Sequence, residues 1–128
     1  MKCRIEFDER RILACVKGAN NTALRRAGAY IRKAARNRVS TSDKASAPGS
    51  PPHTRQGLLK TSLLFAVEKR SQAAVIGPAE KLIGTVMGAH EFGGKYRKRR
   101  YPKRPLMGPT LLKTAPKLPA MWENSVKP

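Results

Sequence analysis

The stretch from Ser40 to Gln56 most limits what this chain can fold into. Ser, Thr, Pro and Gly dominate it, with Pro48-Gly49-Ser50-Pro51-Pro52 at its centre. Each proline removes a backbone donor and fixes φ, and glycine adds an entropic cost, so neither a helix nor a central strand survives there. The stretch therefore predicts a long extended loop over 40–56 that divides the chain into an N-terminal and a C-terminal part. Both parts must share one interior. A chain of 14.1 kDa exposes roughly 20,000 Å² unfolded and about 6,700 Å² folded, enough for one core and not for two. The expectation is a single domain over 1–128.

The N-terminal part reads as one long helix from Asp8 to Val39. Ile12, Val16, Ala19, Ala23, Ala27, Ile31 and Ala34 recur at spacings of three and four, the period of a buried helical stripe. Asp8 and Glu9 stand where a carboxylate meets the positive end of the helix dipole, and Arg36 and Arg38 where cations meet the negative end. Gly18, Asn20, Asn21 and Thr22 weaken the middle and predict a kink or two shorter helices. Arg25, Arg26, Arg32, Lys33 and Arg36 form a basic face that either meets solvent or serves as a contact surface.

The C-terminal part predicts strands. Leu63, Phe65 and Val67 alternate within Leu58–Arg70, Ala73–Gly77 is a short apolar run, and Ser71-Gln72 between them suits a tight antiparallel hairpin. Leu82–Phe92 reads as a short helix running into a strand near Met87–Phe92, closed by Gly93-Gly94. Lys95–Arg104 reads as a basic loop and Pro105–Pro109 as extended. Leu111, Leu112, Ala115, Leu118, Met121 and Trp122 have helix-like spacing, broken by Pro116 and Pro119, which predicts a short kinked C-terminal helix. The fold class is α+β: a long N-terminal helix on a small antiparallel sheet, with the Pro/Gly loop and a short closing helix.

Charge narrows the function. The 27 Lys and Arg against 8 Asp and Glu give a formal net charge of +19, which predicts long-range attraction to nucleic acid, an anionic surface or an acidic protein. The charge is densest at Lys95, Arg97, Lys98, Arg99, Arg100, Lys103 and Arg104, seven cations in ten residues interleaved with Tyr96 and Tyr101. Such a segment must meet solvent or a polyanion; its tyrosines could stack on bases. No apolar run reaches membrane-span length, and the charges mixed into Met1–Asp8 do not make a signal-peptide core. Cys3 and Cys15 match no metal-ligand spacing and form no disulfide framework, so they read as reduced thiols.

Signals for catalysis are weak. His53 and His90 are the only histidines, and neither belongs to a metal-binding or nucleophile-activating array. Gly93-Gly94 lacks the strand–loop–helix context of a phosphate-cradling loop. The expectation is a protein that is not an enzyme and takes no metal or cofactor.

One ordered set of segments is more specific. The long Ala/Arg-rich helix is followed by Ser46–Ser62, then Ile76-Gly77-Pro78, then His90-Glu91-Phe92-Gly93-Gly94, then Tyr101-Pro102-Lys103-Arg104-Pro105-Leu106-Met107-Gly108-Pro109-Thr110, and a closing segment with Trp122. Over about residues 20–125 this order resembles the head–tail joining, or tail-completion, proteins of long-tailed bacteriophages. The matching positions are Gly57, Leu58, Glu91, Phe92, Gly93, Gly94, Pro105 and Pro109, all read as structural. Departures are Thr54-Arg55-Gln56-Gly57 in place of the commoner Thr-Gly, Leu106-Met107 where Phe is frequent, and Thr110 where Ala is usual.

The resemblance implies a structural virion protein of the neck. It implies a homo-oligomeric ring, expected to be six-fold, around the DNA channel. Its partners would be a head connector or completion protein, a tail terminator or tail-tube protein, and DNA held without sequence preference; no membrane is involved. The place implied is the head–tail junction of the virion, and the host cytoplasm during assembly. The alternative is a basic protein binding nucleic acid independently of sequence. That reading needs the cations but not the Pro/Gly-marked segments, and the chain shows no helix-turn-helix.

Overall fold

A computed structural model describes residues 8–126. The first element, α1, runs unbroken over Glu9–Arg38, about 45 Å at 1.5 Å per residue. Asp8 caps it: its carboxylate accepts from the Arg11 N–H at 3.1 Å, satisfying one of the donors that a helix start leaves free. The kink expected near Asn20 is absent because the polar residues there have tertiary partners. Asn20 donates to Gln72 at 2.8 Å and accepts from the Trp122 indole at 2.8 Å, while Asn21 accepts from Gln72 at 3.2 Å.

The buried stripe of α1 is shorter than its sequence period suggests. Ala23, Ala27, Gly28, Ile31 and Ala35 are buried, whereas Ile12, Leu13 and Val16 remain 42%, 50% and 43% exposed. Small residues let the rest of the fold approach the helix closely. The ring of Phe65 lies against Gly28, where an added Cβ would sit 2.6 Å from Phe65 Cδ2.

Gly57 adopts φ +76° and leads into a helical turn, α2, over Leu58–Ser62. This replaces the strand start expected at Leu58. Helical spacing brings Leu59 and Ser62 to the interior together, which alternation would not do. Two α1 arginines fix this turn: Arg36 Nε donates to the Lys60 carbonyl at 2.9 Å and Arg32 Nε to the Leu63 carbonyl at 2.8 Å. Part of the basic face of α1 is thus structural.

Strands β1 (Leu63–Glu68) and β2 (Ala73–Pro78) form an antiparallel hairpin with Leu63 opposite Pro78 and Glu68 opposite Ala73. Its loop spans Lys69–Gln72, longer than the two-residue turn expected at Ser71-Gln72. Gln72 takes a positive φ of 53° and turns its amide towards α1.

Helices α3 (Glu80–Ile83) and α4 (Val86–Phe92) follow. The strand expected over Met87–Phe92 is a helix because Val86, Met87, His90 and Glu91 must share one side, with Met87 in the core. Gly93, at φ +74°, therefore ends a helix, and Gly94 begins a strand. The segment 95–104 is not a plain loop: β3 (Gly94–Tyr96) pairs with β4 (Arg99–Tyr101) in a second, separate hairpin. Pro105 leads into α5 (Met107–Thr114), so Met107–Pro109 is helical rather than extended. Two 3-10 turns at Ala115–Lys117 and Pro119–Met121 carry the chain past Pro116 and Pro119, as the kinked reading of this region expects.

The architecture is α+β. Its core is Ala35, Val39, Leu59, Leu63, Met87 and Leu106, flanked by Ile83, Val86 and Met107, so α1, α2, β1, α4 and the entry to α5 meet in one cluster while β2 and the second hairpin lie outside it. No helix among the described residues is long and apolar enough to cross a membrane. Cys3 lies outside the described residues, and Cys15 is a half-buried free thiol.

Candidate functional site

Two sets of residues singled out in the sequence come together between α4 and α5. The first is the basic hairpin. Its register places Lys95 opposite Arg100, and Tyr96 opposite Arg99 with Gly94 opposite Tyr101. Side chains alternate across a strand, so Tyr96, Arg99 and Tyr101 share one face and Lys95 and Arg100 the other. The tyrosine face packs inward. Tyr101 meets His90 edge-on at 5.0 Å between ring centres and Tyr96 at 6.3 Å. The Arg97 guanidinium lies 5.4 Å over the Tyr96 ring, a cation–π contact. The tyrosines thus hold the hairpin to α4 rather than standing free for bases.

Six of the seven expected contact cations, Lys95, Arg97, Lys98, Arg99, Arg100 and Lys103, are exposed. Arg104 is the exception. It is half-buried, its Nε donates to the Ser46 carbonyl at 2.8 Å, and its N–H donates to the His90 carbonyl at 2.6 Å. With the Gly49 N–H on the Lys103 carbonyl at 2.8 Å, it clips the 40–56 segment to the end of the hairpin. That segment is also closed at its base by bonds from the Ser42 N–H to Thr54 and from the Thr54 N–H to Ser40, each 3.0 Å. Sequence composition alone carries no sign of these cross-links.

The second set is the Glu91 and Pro105–Pro109 pair of segments. Glu91 Oε2 accepts from the N–H groups of Leu106 at 2.8 Å and Met107 at 3.0 Å, and Oε1 from that of Gly108 at 2.7 Å. Pro109 has no N–H to satisfy, and the Thr110 N–H reaches the Leu106 carbonyl at 3.2 Å. Every donor of the first turn of α5 is thereby accounted for, by one carboxylate from another helix and one proline. Leu106 has no side chain able to cap, and Glu91 supplies that function at a distance. Gly108 suits the tight approach, since a Cβ there would lie 3.2 Å from Glu91 Oε1.

The remaining matched positions are divided. Gly57 holds a left-handed conformation, and Gly93 and Gly94 lie at φ +74° and +130°. Leu58 and Phe92 are exposed by 51% and 80%, so neither supports the core. His90, between the hairpin and α4, has its pKa lowered from 6.5 by burial first and by the Arg104 charge second. Among the described residues, no group of three His, Cys, Asp or Glu is placed to hold a metal ion.

No protein-family model, no curated protein and no solved structure matches this chain.

Proposed function

We propose that this chain is a structural component of the head–tail junction of a long-tailed bacteriophage, working by ring assembly around the DNA channel rather than by catalysis. The observation that carries the reading is the unburied apolar surface. Ile12, Leu13 and Val16 lie on one face of the N-terminal half of α1, Leu111 and Leu112 lie open on α5, and Phe92 stands at the end of α4. Large apolar side chains grouped on a helix face and left open, as on α1, suit contact with other proteins. The accessible surface, 9799 Å², exceeds the roughly 6,700 Å² of a compact monomer of this mass, and side-by-side packing of copies would cover the excess.

The Glu91 clamp lends further support. It joins His90–Gly94 to Pro105–Thr110, two of the segments on which the family resemblance rests. In this reading the exposed hairpin cations face DNA in the channel. The alternative, a sequence-independent nucleic-acid-binding protein, is favoured by those same six cations but gives the apolar faces nothing to do.

Disrupting the gene in a phage or inducible prophage that carries it tests the proposal. Electron microscopy of the lysate should show DNA-filled heads and free tails that fail to join, with joining restored by the gene supplied in trans. Normal, infectious particles in the disrupted strain would overturn it.

A further inference from the structure

A cleft of about 340 Å³ opens between the 40–56 segment and the hairpin. One wall is Lys44, Ser46, His53 and Arg55; the other is His90, Tyr101 and Arg104. These walls are held in place. Arg104 Nε is bound to the Ser46 carbonyl at 2.8 Å, His53 Nδ1 to the Lys44 carbonyl at 2.9 Å, and the Arg104 N–H to the His90 carbonyl at 2.6 Å. Three cationic residues, the exposed Lys44 and Arg55 and the half-buried Arg104, thus line one concavity, opposed there by the single carboxylate of Asp43. Among the described residues, only Nε of the Arg104 fork is spent on a carbonyl.

The inner wall also carries hydrogen-bonding capacity that the fold leaves unused. Ser46 is 6% exposed, and neither its hydroxyl nor His90 Nδ1 has a hydrogen-bond partner among the described residues. Buried polar atoms without partners are costly, and they are uncommon unless a water, ion or ligand completes them. Two guanidinium groups, a hydroxyl and two imidazoles lining one cleft form a donor set suited to a tetrahedral oxyanion, which arginine grips through parallel N–H bonds.

We propose that this cleft is a phosphate-binding site, in which Arg55 and Arg104 hold the phosphoryl oxygens, Lys44 adds charge, and Ser46, His53 and His90 supply the remaining hydrogen bonds. The site is distinct from the exposed tip of the hairpin, and it does not depend on the neck assignment. The phosphate is either free in solution or part of a nucleic-acid backbone passing over the adjoining hairpin. His90, held below its ordinary pKa by burial and Arg104, enters as an uncharged hydrogen-bonding group at neutral pH, so the binding charge comes from the arginines and Lys44.

The test is calorimetric titration of the full chain with inorganic phosphate, repeated with a short single-stranded oligonucleotide present. The variants are Arg55→Gln, Lys44→Gln and, as a control, Arg99→Gln/Arg100→Gln on the hairpin. Arg55 and Lys44 are chosen because Arg104 also supports the fold. Saturable phosphate binding should weaken tenfold or more in Arg55→Gln and several-fold in Lys44→Gln, and stay within twofold in the control. Competition by the oligonucleotide assigns the site to a backbone phosphate; binding without competition assigns it to free phosphate. Absence of saturable binding, or an equal loss in the hairpin control, overturns the proposal.

Discussion

Three residues carry consequences out of proportion to their size. Gly28 is one, because the ring of Phe65 occupies the space of a β-carbon. Gly28→Ala should lower stability by about 1–3 kcal/mol, the usual cost of overpacking, despite the better helix propensity of alanine. In a Phe65→Leu background the cost should shrink, and a double-mutant cycle from urea unfolding reads that coupling. Glu91 is the second. Glu91→Ala leaves the N–H groups of Leu106, Met107 and Gly108 without their acceptor, which should cost about 2 kcal/mol. Glu91→Gln keeps one acceptor oxygen and should recover part of that in the same unfolding assay. His90 is the third. Its folded pKa lies below 6.5, so between those values the unfolded chain binds the extra proton. Stability is full above about pH 6.5 and is lost as pH falls through the folded value. The melting temperature of His90→Gln, followed from pH 7.5 to 5, should decline less steeply than that of the parent.

At the scale of elements, legibility followed the source of each element's stability. Helix α1 was legible almost to the residue because its period, its Asp8 cap and its terminal charges are local signals. Its middle reads locally as a kink or a break between two helices, yet it stays helical with Asn20 and Asn21 held by Gln72 and Trp122, partners far away in sequence. The β1–β2 hairpin was visible in the alternation of Leu63, Phe65 and Val67. Helices α2 and α4 were not, since segments as short as Leu58–Ser62 and Val86–Phe92 hold too few apolar residues to separate one period from the other. The second hairpin is hidden by its own charges: like-charge repulsion argues for a loop, yet Lys95, Arg99 and Arg100 reach solvent while Tyr101 packs on His90 and Tyr96 on Tyr101. For the site, the sequence expects all seven contact cations in the open and six of them are; Arg104, its link to Ser46 and the cleft beside it depend on tertiary contacts and leave no local trace. The hairpin makes its own prediction. If about five or six of its cations neutralise phosphates on duplex DNA, log affinity should fall with log salt at a slope near −5. Replacing Arg97, Lys98, Arg99 and Arg100 with Gln should flatten that slope by several units. The melting temperature should barely change, because exposed like charges contribute little to stability. A large loss of stability with unchanged DNA affinity would make the cluster structural.

At the scale of the whole molecule, the balance between core and open surface decides the account. The core rests on a few small and medium side chains, while the N-terminal half of α1 and the outer face of α5 hold apolar residues in the open. A net charge of +19 keeps copies apart in dilute solution by mutual repulsion, so association should strengthen with salt or with a polyanion. The most direct measurement is sedimentation velocity of the purified chain over rising concentration, in moderate salt, with and without short duplex DNA. The account predicts a folded monomer or small oligomer that passes to one discrete closed assembly, and loss of that assembly in Ile12→Asp/Val16→Asp or Leu112→Asp variants that still fold. A chain that stays monomeric under every condition, or assembles equally well with those residues replaced, would contradict it.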